Sequence, residues 1–170
     1  MNMKARLLLA SAAIAVLAGL VWTWHAHFRY VDAPEVSFTM LDGSRPAMSD
    51  LVGNPVLVTF WGTSCVECIR EMPDLVRMHD EYSSQGLRII GVAMPYEPPH
   101  LVYQFQQMRK LPYQLSLDLD GSLSRGFGDV RLTPTTLLVS PGGKIVYRKT
   151  GPFDTEWLRS RIASMLERSA

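Results

Sequence analysis

The stretch PVLVTFWGTSCVECIREMP, residues 55–73, decides the fold because it joins a strand pattern, a helix start and both cysteines of the chain. Its apolar, β-branched run 55–61 predicts a strand buried on both faces of a sheet. A helix is expected from about Cys65 to Ser83. The pair Cys65 and Cys68 is therefore expected where a central buried strand meets the helix that follows it.

The spacing of the two cysteines suits a bond that opens and closes. Residues three apart in a helix have Cα atoms about 5–6 Å from each other, inside the disulfide range of about 4.4–6.8 Å. Cys65 would lie at the helix N-terminus, where free N–H groups and the helix dipole favour a thiolate. Such positions lower a cysteine pKa from about 8.5 to between about 3.5 and 7.5. The pattern predicts that Cys65 attacks, and that Cys68 resolves the mixed disulfide.

The N-terminus predicts a membrane anchor and export of the rest of the chain. Residues 7–24 carry no charge and follow Lys4 and Arg6. As a helix they would rise about 27 Å, close to the bilayer's hydrocarbon core of about 30 Å. The positive-inside rule keeps residues 1–6 in the cytoplasm. A cleaved signal peptide is the alternative, and it also implies an exported domain.

The cysteines have two other possible roles, a disulfide that only stabilises the fold and a pair of metal ligands. Exported domains that rely on disulfides for stability carry several, and a bridge between Cys65 and Cys68 closes too small a loop to stabilise much. A structural zinc site needs four ligands, and the chain has no second CxxC and no histidine pair at metal spacing. His79 and His100 are expected at the surface. We therefore expect no metal and no cofactor besides a redox-active disulfide, Cys65–Cys68.

The remaining pattern predicts one α/β domain over residues 35–168, after a linker at 25–34. Strands alternate with helices and end in a hairpin and a last helix, which indicates a mixed sheet flanked by helices. A net charge of +1 leaves no basic surface for nucleic acid. Strands are expected at 36–41, 55–61, 87–94, 113–118, 135–140 and 144–149, helices at 65–83, 99–110 and from Asp154 or Thr155 to Arg168, and short turns at 49–53 and 121–127.

These segments resemble the thioredoxin-fold oxidoreductases, in the membrane-anchored, periplasm-facing branch that includes the TlpA, ResA and CcmG/DsbE proteins. The resemblance spans roughly residues 35–168. It includes SDLVGNPVLV before the cysteines and LTPTTLLVSPGGKIVYRKTG after them. It implies a thioredoxin-like fold and a single-pass protein of the bacterial inner membrane, with its catalytic domain in the periplasm.

The resemblance also implies a substrate-binding loop. Thr133-Pro134 corresponds to the cis-proline loop of the family, which faces the CxxC. The backbone of Thr133 would pair with an extended substrate there. Trp61 is a candidate substrate platform, with a place in the core as the alternative.

Three residues around the cysteines are candidates for assisting or tuning their chemistry. ResA-like proteins carry a functional glutamate three residues after the second cysteine, a position held here by Glu71. It would take or return the Cys68 proton, unless it is a solvated helix carboxylate. Val66 and Glu67 replace the family's usual dipeptide and would tune the redox potential. The charge of Glu67 opposes the thiolate.

The function implied by the resemblance is thiol–disulfide exchange with cysteines of other exported proteins. Reduction of their disulfides is the expected direction, and apocytochrome c before haem attachment is one candidate substrate. An electron-donating membrane thiol protein would recharge the enzyme. A periplasmic copper chaperone on the same fold and a thiol peroxidase are the alternatives.

Overall fold

The computed structural model describes residues 13–20 and 30–168 of the chain. Residues 13–20 form a helix, α1. Most of the predicted segments 1–6 and 7–24 lie outside the described residues. Within the part that is described, no helix is long and apolar enough to cross a membrane. The chain divides into two units, Met1–Val31 and Asp32–Ala170, and the second contains the predicted α/β domain.

The order of helices and strands follows the predicted pattern closely. The final helix ends two residues before the predicted Arg168, and the predicted strand at 36–41 is shorter. A β-strand also occupies two residues of the predicted linker. The strands are β1 (Val31–Asp32), β2 (Thr39–Met40), β3 (Val56–Trp61), β4 (Arg88–Ala93), β5 (Gln114–Leu117), β6 (Thr135–Val139) and β7 (Lys144–Thr150), and the helices after α1 are α2 (Val66–Tyr82), α3 (Pro99–Arg109), α4 (Ser122–Gly126) and α5 (Thr155–Leu166).

The described strands form one mixed sheet in the order β1-β7-β6-β3-β4-β5-β2. Strand β3 lies at its centre, parallel to β4 and antiparallel to β6. All six residues of β3 are buried, because helices cover both faces of the sheet at this point. The predicted thioredoxin-like architecture, a mixed sheet flanked by helices, is confirmed.

Alternate residues of β3 enter two different hydrophobic cores. Leu57 and Trp61 pack with apolar residues from α2, α3 and α5. Val58 and Phe60 pack on the other side, where Phe127 after α4 contacts the ring of Phe60 at 5.8 Å between centroids. This division follows from the two-residue period of a strand. It holds β3, and the cysteine loop after it, between two packed layers.

Asp154, one of the two residues at which the last helix was expected to begin, is the N-cap of α5. The side chain of Asp154 accepts a hydrogen bond of 2.9 Å from the N–H of Trp157. We expect Asp154→Ala to lower the free energy of unfolding by about 1 kcal/mol, since one N–H of the first turn loses its acceptor. Urea denaturation measures this difference. Asp154→Asn keeps an acceptor oxygen and should retain most of the stability, and equal unfolding midpoints for all three proteins would contradict the prediction.

Candidate active site

The two cysteines form a disulfide at the N-terminus of α2. Their Cα atoms are 5.3 Å apart. Cys65 is the N-cap residue of the helix, and its Sγ accepts a hydrogen bond of 3.2 Å from the N–H of Cys68. The position predicted for Cys65 is therefore confirmed. A thiolate on this sulfur would face the N–H groups and the positive end of the helix dipole.

The two sulfur-bearing residues differ in their access to solvent. Cys65 is half-buried, whereas Cys68 is only 3% exposed and belongs to the core beneath the helix. An incoming protein disulfide can therefore reach Cys65 and not Cys68. This difference suits Cys65 to the attacking role and Cys68 to the resolving role.

The proline loop lies at the same edge of the sheet as the cysteines. The peptide bond between Thr133 and Pro134 is cis, as the resemblance implied. Strand β6 begins with Thr135 opposite Phe60 of the antiparallel β3. One step further along both strands, Thr133-Pro134 reaches the level of Trp61 and the loop that leads to Cys65. The loop is held from its other side, where the carbonyl of Pro134 accepts a 2.8 Å hydrogen bond from the N–H of Gly151.

Glu71 is buried and is not a solvated helix carboxylate. Its exposed fraction is 8%, and its Oε1 accepts a hydrogen bond of 2.6 Å from the N–H of Phe153. Burial raises the pKa of Glu71 from 4.5 to about 7, the hydrogen bond from Phe153 opposes the rise, and the charges of Asp74 and Glu67 add to it. An acid with a pKa near neutrality can both accept and return a proton at cellular pH. It lies one turn after Cys68 on the same side of α2.

Val66 and Glu67, the residues between the cysteines, lie at the surface. The side chain of Val66 is 60% exposed. Glu67 forms an ion pair with Arg70 one turn later on α2. The negative charge that the sequence places beside the sulfurs is thus partly balanced by a cation of the same helix.

Trp61 is not available to a substrate. Only 2% of its surface is exposed, and its ring packs against Phe105 of α3 with 5.1 Å between centroids. The interpretation of Trp61 as a substrate platform is therefore wrong, because its position on β3 turns the side chain into the core. The apolar side chains that do reach solvent beside the site include Val66, next to Cys65, and Leu132, next to Thr133.

Glu97 is a residue of the site that the sequence did not reveal. It follows β4, is 7% exposed, and binds Thr63 of the cysteine loop with both carboxylate oxygens. One signal in the sequence could have indicated Glu97. It is an acidic residue shortly after the end of β4, and β4 is the parallel neighbour of β3.

The described residues offer no evident metal site. Over 13–20 and 30–168, no three or more His, Cys, Asp or Glu side chains are grouped so that they could hold a metal ion. His79 lies on α2 and is half-buried, and His100 lies on α3 and is exposed.

Comparison with known proteins identifies the family of this chain. The family model described as Redoxin matches residues 31–166. The chain is 34% identical over 120 residues to the thiol-disulfide oxidoreductase ResA of Bacillus subtilis (strain 168), covering 71% of this chain and 66%, just under two thirds, of that relative. It is 29% identical over 160 residues to ResA of Geobacillus thermodenitrificans (strain NG80-2), covering 89% and 91% of the two chains.

A solved structure agrees on the fold. The thiol:disulfide interchange protein of Chlorobium tepidum TLS, a thioredoxin family protein, superposes with a TM-score of 0.72 at 23% identity, over 81% of this chain and 97% of that one. The fold, the geometry of the two cysteines and the relatives are all consistent with one family. The chain belongs to the redoxin family, has a thioredoxin fold, and is similar to ResA proteins, which are thiol–disulfide oxidoreductases.

Proposed function

We propose that this protein is a membrane-anchored, extracytoplasmic thiol–disulfide oxidoreductase that reduces disulfides in other exported proteins. The observation that carries the proposal is the half-exposed Cys65 at the N-terminus of α2, bonded to the buried Cys68. In a couple placed in this way, one sulfur can be reached by the substrate, and the other can resolve the mixed disulfide.

The reaction transfers two electrons from the protein to the substrate. The Cys65 thiolate attacks one sulfur of the substrate disulfide, and the other substrate sulfur leaves as a thiolate. Cys68 then loses its proton and attacks the Sγ of Cys65 in the mixed disulfide. The second substrate thiolate leaves, and the protein ends with the Cys65–Cys68 disulfide.

Glu71 is the proposed acceptor of the Cys68 proton. It lies one turn after Cys68, and its pKa of about 7 suits proton uptake near neutral pH. When the enzyme is reduced again, the same carboxyl group would return the proton. The burial of Glu71 at 8% exposure supports this role, since a solvated carboxylate would keep its ordinary pKa.

The substrate is proposed to bind as an extended segment along Thr133. The residue precedes the buried Pro134 at the sheet edge and is itself half-buried, so its backbone can be reached by a second chain. Backbone pairing of this kind tolerates many sequences. It would suit an enzyme that acts on several exported proteins, of which apocytochrome c is one candidate.

The proposed location and partners are supported by the N-terminal segment. Residues 7–24 carry no charge and are long enough for one span of the bacterial inner membrane, with the catalytic domain in the periplasm. An oxidised enzyme in that compartment needs a source of electrons. We propose a membrane protein with a reactive thiol as the donor.

The charges near the cysteine pair favour a reductant. Between positions 66 and 71 of α2, the charged side chains are Glu67, Arg70 and Glu71. Arg70 pairs with Glu67 and balances its charge, so the net negative charge of this segment rests on Glu71, which is partly ionised near pH 7. This negative charge therefore offsets part of the stabilisation that the helix N-terminus gives to the Cys65 thiolate. A less stabilised reduced form corresponds to a lower reduction potential.

The reduction potential of the Cys65–Cys68 couple tests the proposal directly. We expect a value near or below about −270 mV, as for thioredoxin-like reductants. The protein would be equilibrated in graded dithiothreitol or glutathione buffers, and the fraction of free thiol measured by alkylation. A potential near about −120 mV would contradict the proposal and indicate a disulfide-forming oxidant.

A further inference from the structure

The loop before Cys65 lies beside the loop after β4. Strands β3 and β4 are parallel neighbours, so their carboxyl ends meet at the same edge of the sheet. Their pairing continues one step beyond the strands, where the N–H of Met94 donates to the carbonyl of Trp61 at 3.1 Å. Residues 62–64 and 95–98 leave the sheet side by side from this point.

Glu97 ties these two loops together with both oxygens of its carboxylate. Oε1 accepts a 3.1 Å hydrogen bond from the N–H of Thr63, and Oε2 accepts a 2.7 Å bond from the Thr63 hydroxyl. Glu97 is 7% exposed, so water competes little for these oxygens. Hydrogen bonds to a carboxylate are about twice as strong as those between neutral groups.

The loop is also shaped to accept this carboxylate. A Cβ atom on Gly62 would lie 2.7 Å from Oε1 of Glu97, closer than a carbon atom can approach an oxygen. The absence of a side chain at position 62 therefore permits the carboxylate to reach Thr63. Glu97 is itself held in place, since its N–H donates a 2.9 Å hydrogen bond to the carbonyl of Met94.

The same loop sets the position of the reacting sulfur. The N–H of Cys65 donates a 3.1 Å hydrogen bond to the carbonyl of Gly62, which forms the turn into α2. A tether at Thr63 lies inside that turn. The carboxylate thereby restrains the three residues that bring Cys65 Sγ to the N–H of Cys68.

We propose that Glu97 is a positioning residue for Cys65. It acts through Thr63 and Gly62, without touching the reacting sulfur, and keeps that sulfur over the N-terminus of α2. The inference deepens the proposed function and rests on it for the identity of the reacting atom. Without the tether, the thiolate would lose part of its stabilisation by the helix, and Cys65 would react more slowly.

The test uses the full chain in detergent. The protein is first reduced with dithiothreitol, and the dithiothreitol is then removed. Because Cys68 is buried, the rate of reaction with iodoacetamide at pH 7 reports on Cys65, and mass spectrometry of peptides identifies the labelled residue. The rate is also followed over a pH series, and we expect Glu97→Ala to react about tenfold more slowly at pH values below the thiol pKa, where a rise of one unit in that pKa lowers the thiolate fraction about tenfold. The pH midpoint of the reaction should move upward accordingly.

Two further variants separate the tether from the charge. In Glu97→Gln the amide can still accept from the N–H of Thr63 and donate to its hydroxyl oxygen, so we expect a rate within about twofold of the wild type. Thr63→Ala loses the hydroxyl contact and should be slowed less than Glu97→Ala. In the double variant of Thr63→Ala and Glu97→Ala the two effects should not add, because both remove the same interaction.

Asp118 provides a matched control for loss of stability alone. This carboxylate is 2% exposed and accepts hydrogen bonds of 2.9 Å from the N–H groups of Leu123 and Ser124, at the start of α4. Asp118→Ala removes a similar tether and should leave the rate of Cys65 unchanged. Wild-type rates in both Glu97→Ala and Thr63→Ala, or equal slowing in Asp118→Ala, would overturn the proposal.

Failure of the proposed function would be recognised separately. Alkylation requires no disulfide substrate, whereas reduction of insulin by the wild-type protein does. If the wild type does not reduce insulin while Glu97→Ala still slows alkylation, the function fails and the positioning role stands. If insulin is reduced and no Glu97 variant changes the thiol rate, the positioning role alone is wrong.

Discussion

Cys65→Ser is expected to abolish disulfide reduction, lowering the rate with insulin by about a thousandfold or more. A serine hydroxyl is not ionised near neutral pH and does not open a disulfide. Cys68 cannot replace the missing nucleophile, since only 3% of its surface is exposed. Insulin reduction with dithiothreitol as the electron source, corrected for the rate without protein, measures the effect.

Cys68→Ser is the matched variant, and its expected behaviour is different. It retains Cys65 and should complete the first step, then stop at the mixed disulfide, since nothing remains to resolve it. A complex with a disulfide-containing peptide should therefore accumulate and be visible by mass spectrometry. If Cys65→Ser formed the trapped complex and Cys68→Ser did not, the assigned order of attack would be reversed.

Glu71→Gln is expected to stabilise the oxidised protein by about 3 kcal/mol at pH 8 and to leave its stability unchanged at pH 4. The figure follows from the rise in the Glu71 pKa from 4.5 to about 7, at about 1.4 kcal/mol for each pKa unit. Between these values the folded protein holds a proton that the unfolded chain has released. Wild-type stability attributable to Glu71 is therefore complete below pH 4.5 and lost as the pH rises to about 7.

The glutamine variant avoids this loss because it stays neutral and keeps an oxygen to accept the N–H of Phe153. Urea unfolding of the oxidised protein at pH 4, 6 and 8 measures the difference. Glu67→Gln is the control, since Glu67 lies on the same helix with its side chain 45% exposed. An equal gain from Glu71→Gln at all three pH values would show that the charge of Glu71 is not its cause.

The same variant should reduce insulin more slowly, by about a hundredfold, since general base catalysis typically contributes between about 10² and 10⁴. Stability and activity would then change in opposite directions, as is common when a charged group is buried for function. Unchanged activity in Glu71→Gln would indicate that another group takes the Cys68 proton.

Local patterns were sufficient to predict most of the fold. The apolar run 55–61 predicted β3, and the start of α5 was predicted at Asp154 or Thr155, because strand burial and helix capping depend on neighbouring residues. The spacing of Cys65 and Cys68 likewise predicted a disulfide at the start of a helix. For Thr133-Pro134 the residues alone favour trans, and the resemblance to the family indicated the cis form that the structure has.

The sequence by itself thus determined the order of the elements, the redox pair and its place at the N-terminus of α2. Only the tertiary structure decided the surroundings of that pair. It turns Trp61 into the core, buries Glu71 beneath the loop of Phe153, 82 positions later, and brings Glu97 to Thr63 across 34 positions. Such contacts depend on which strands become neighbours and in what register, and no periodicity within a single segment encodes that choice.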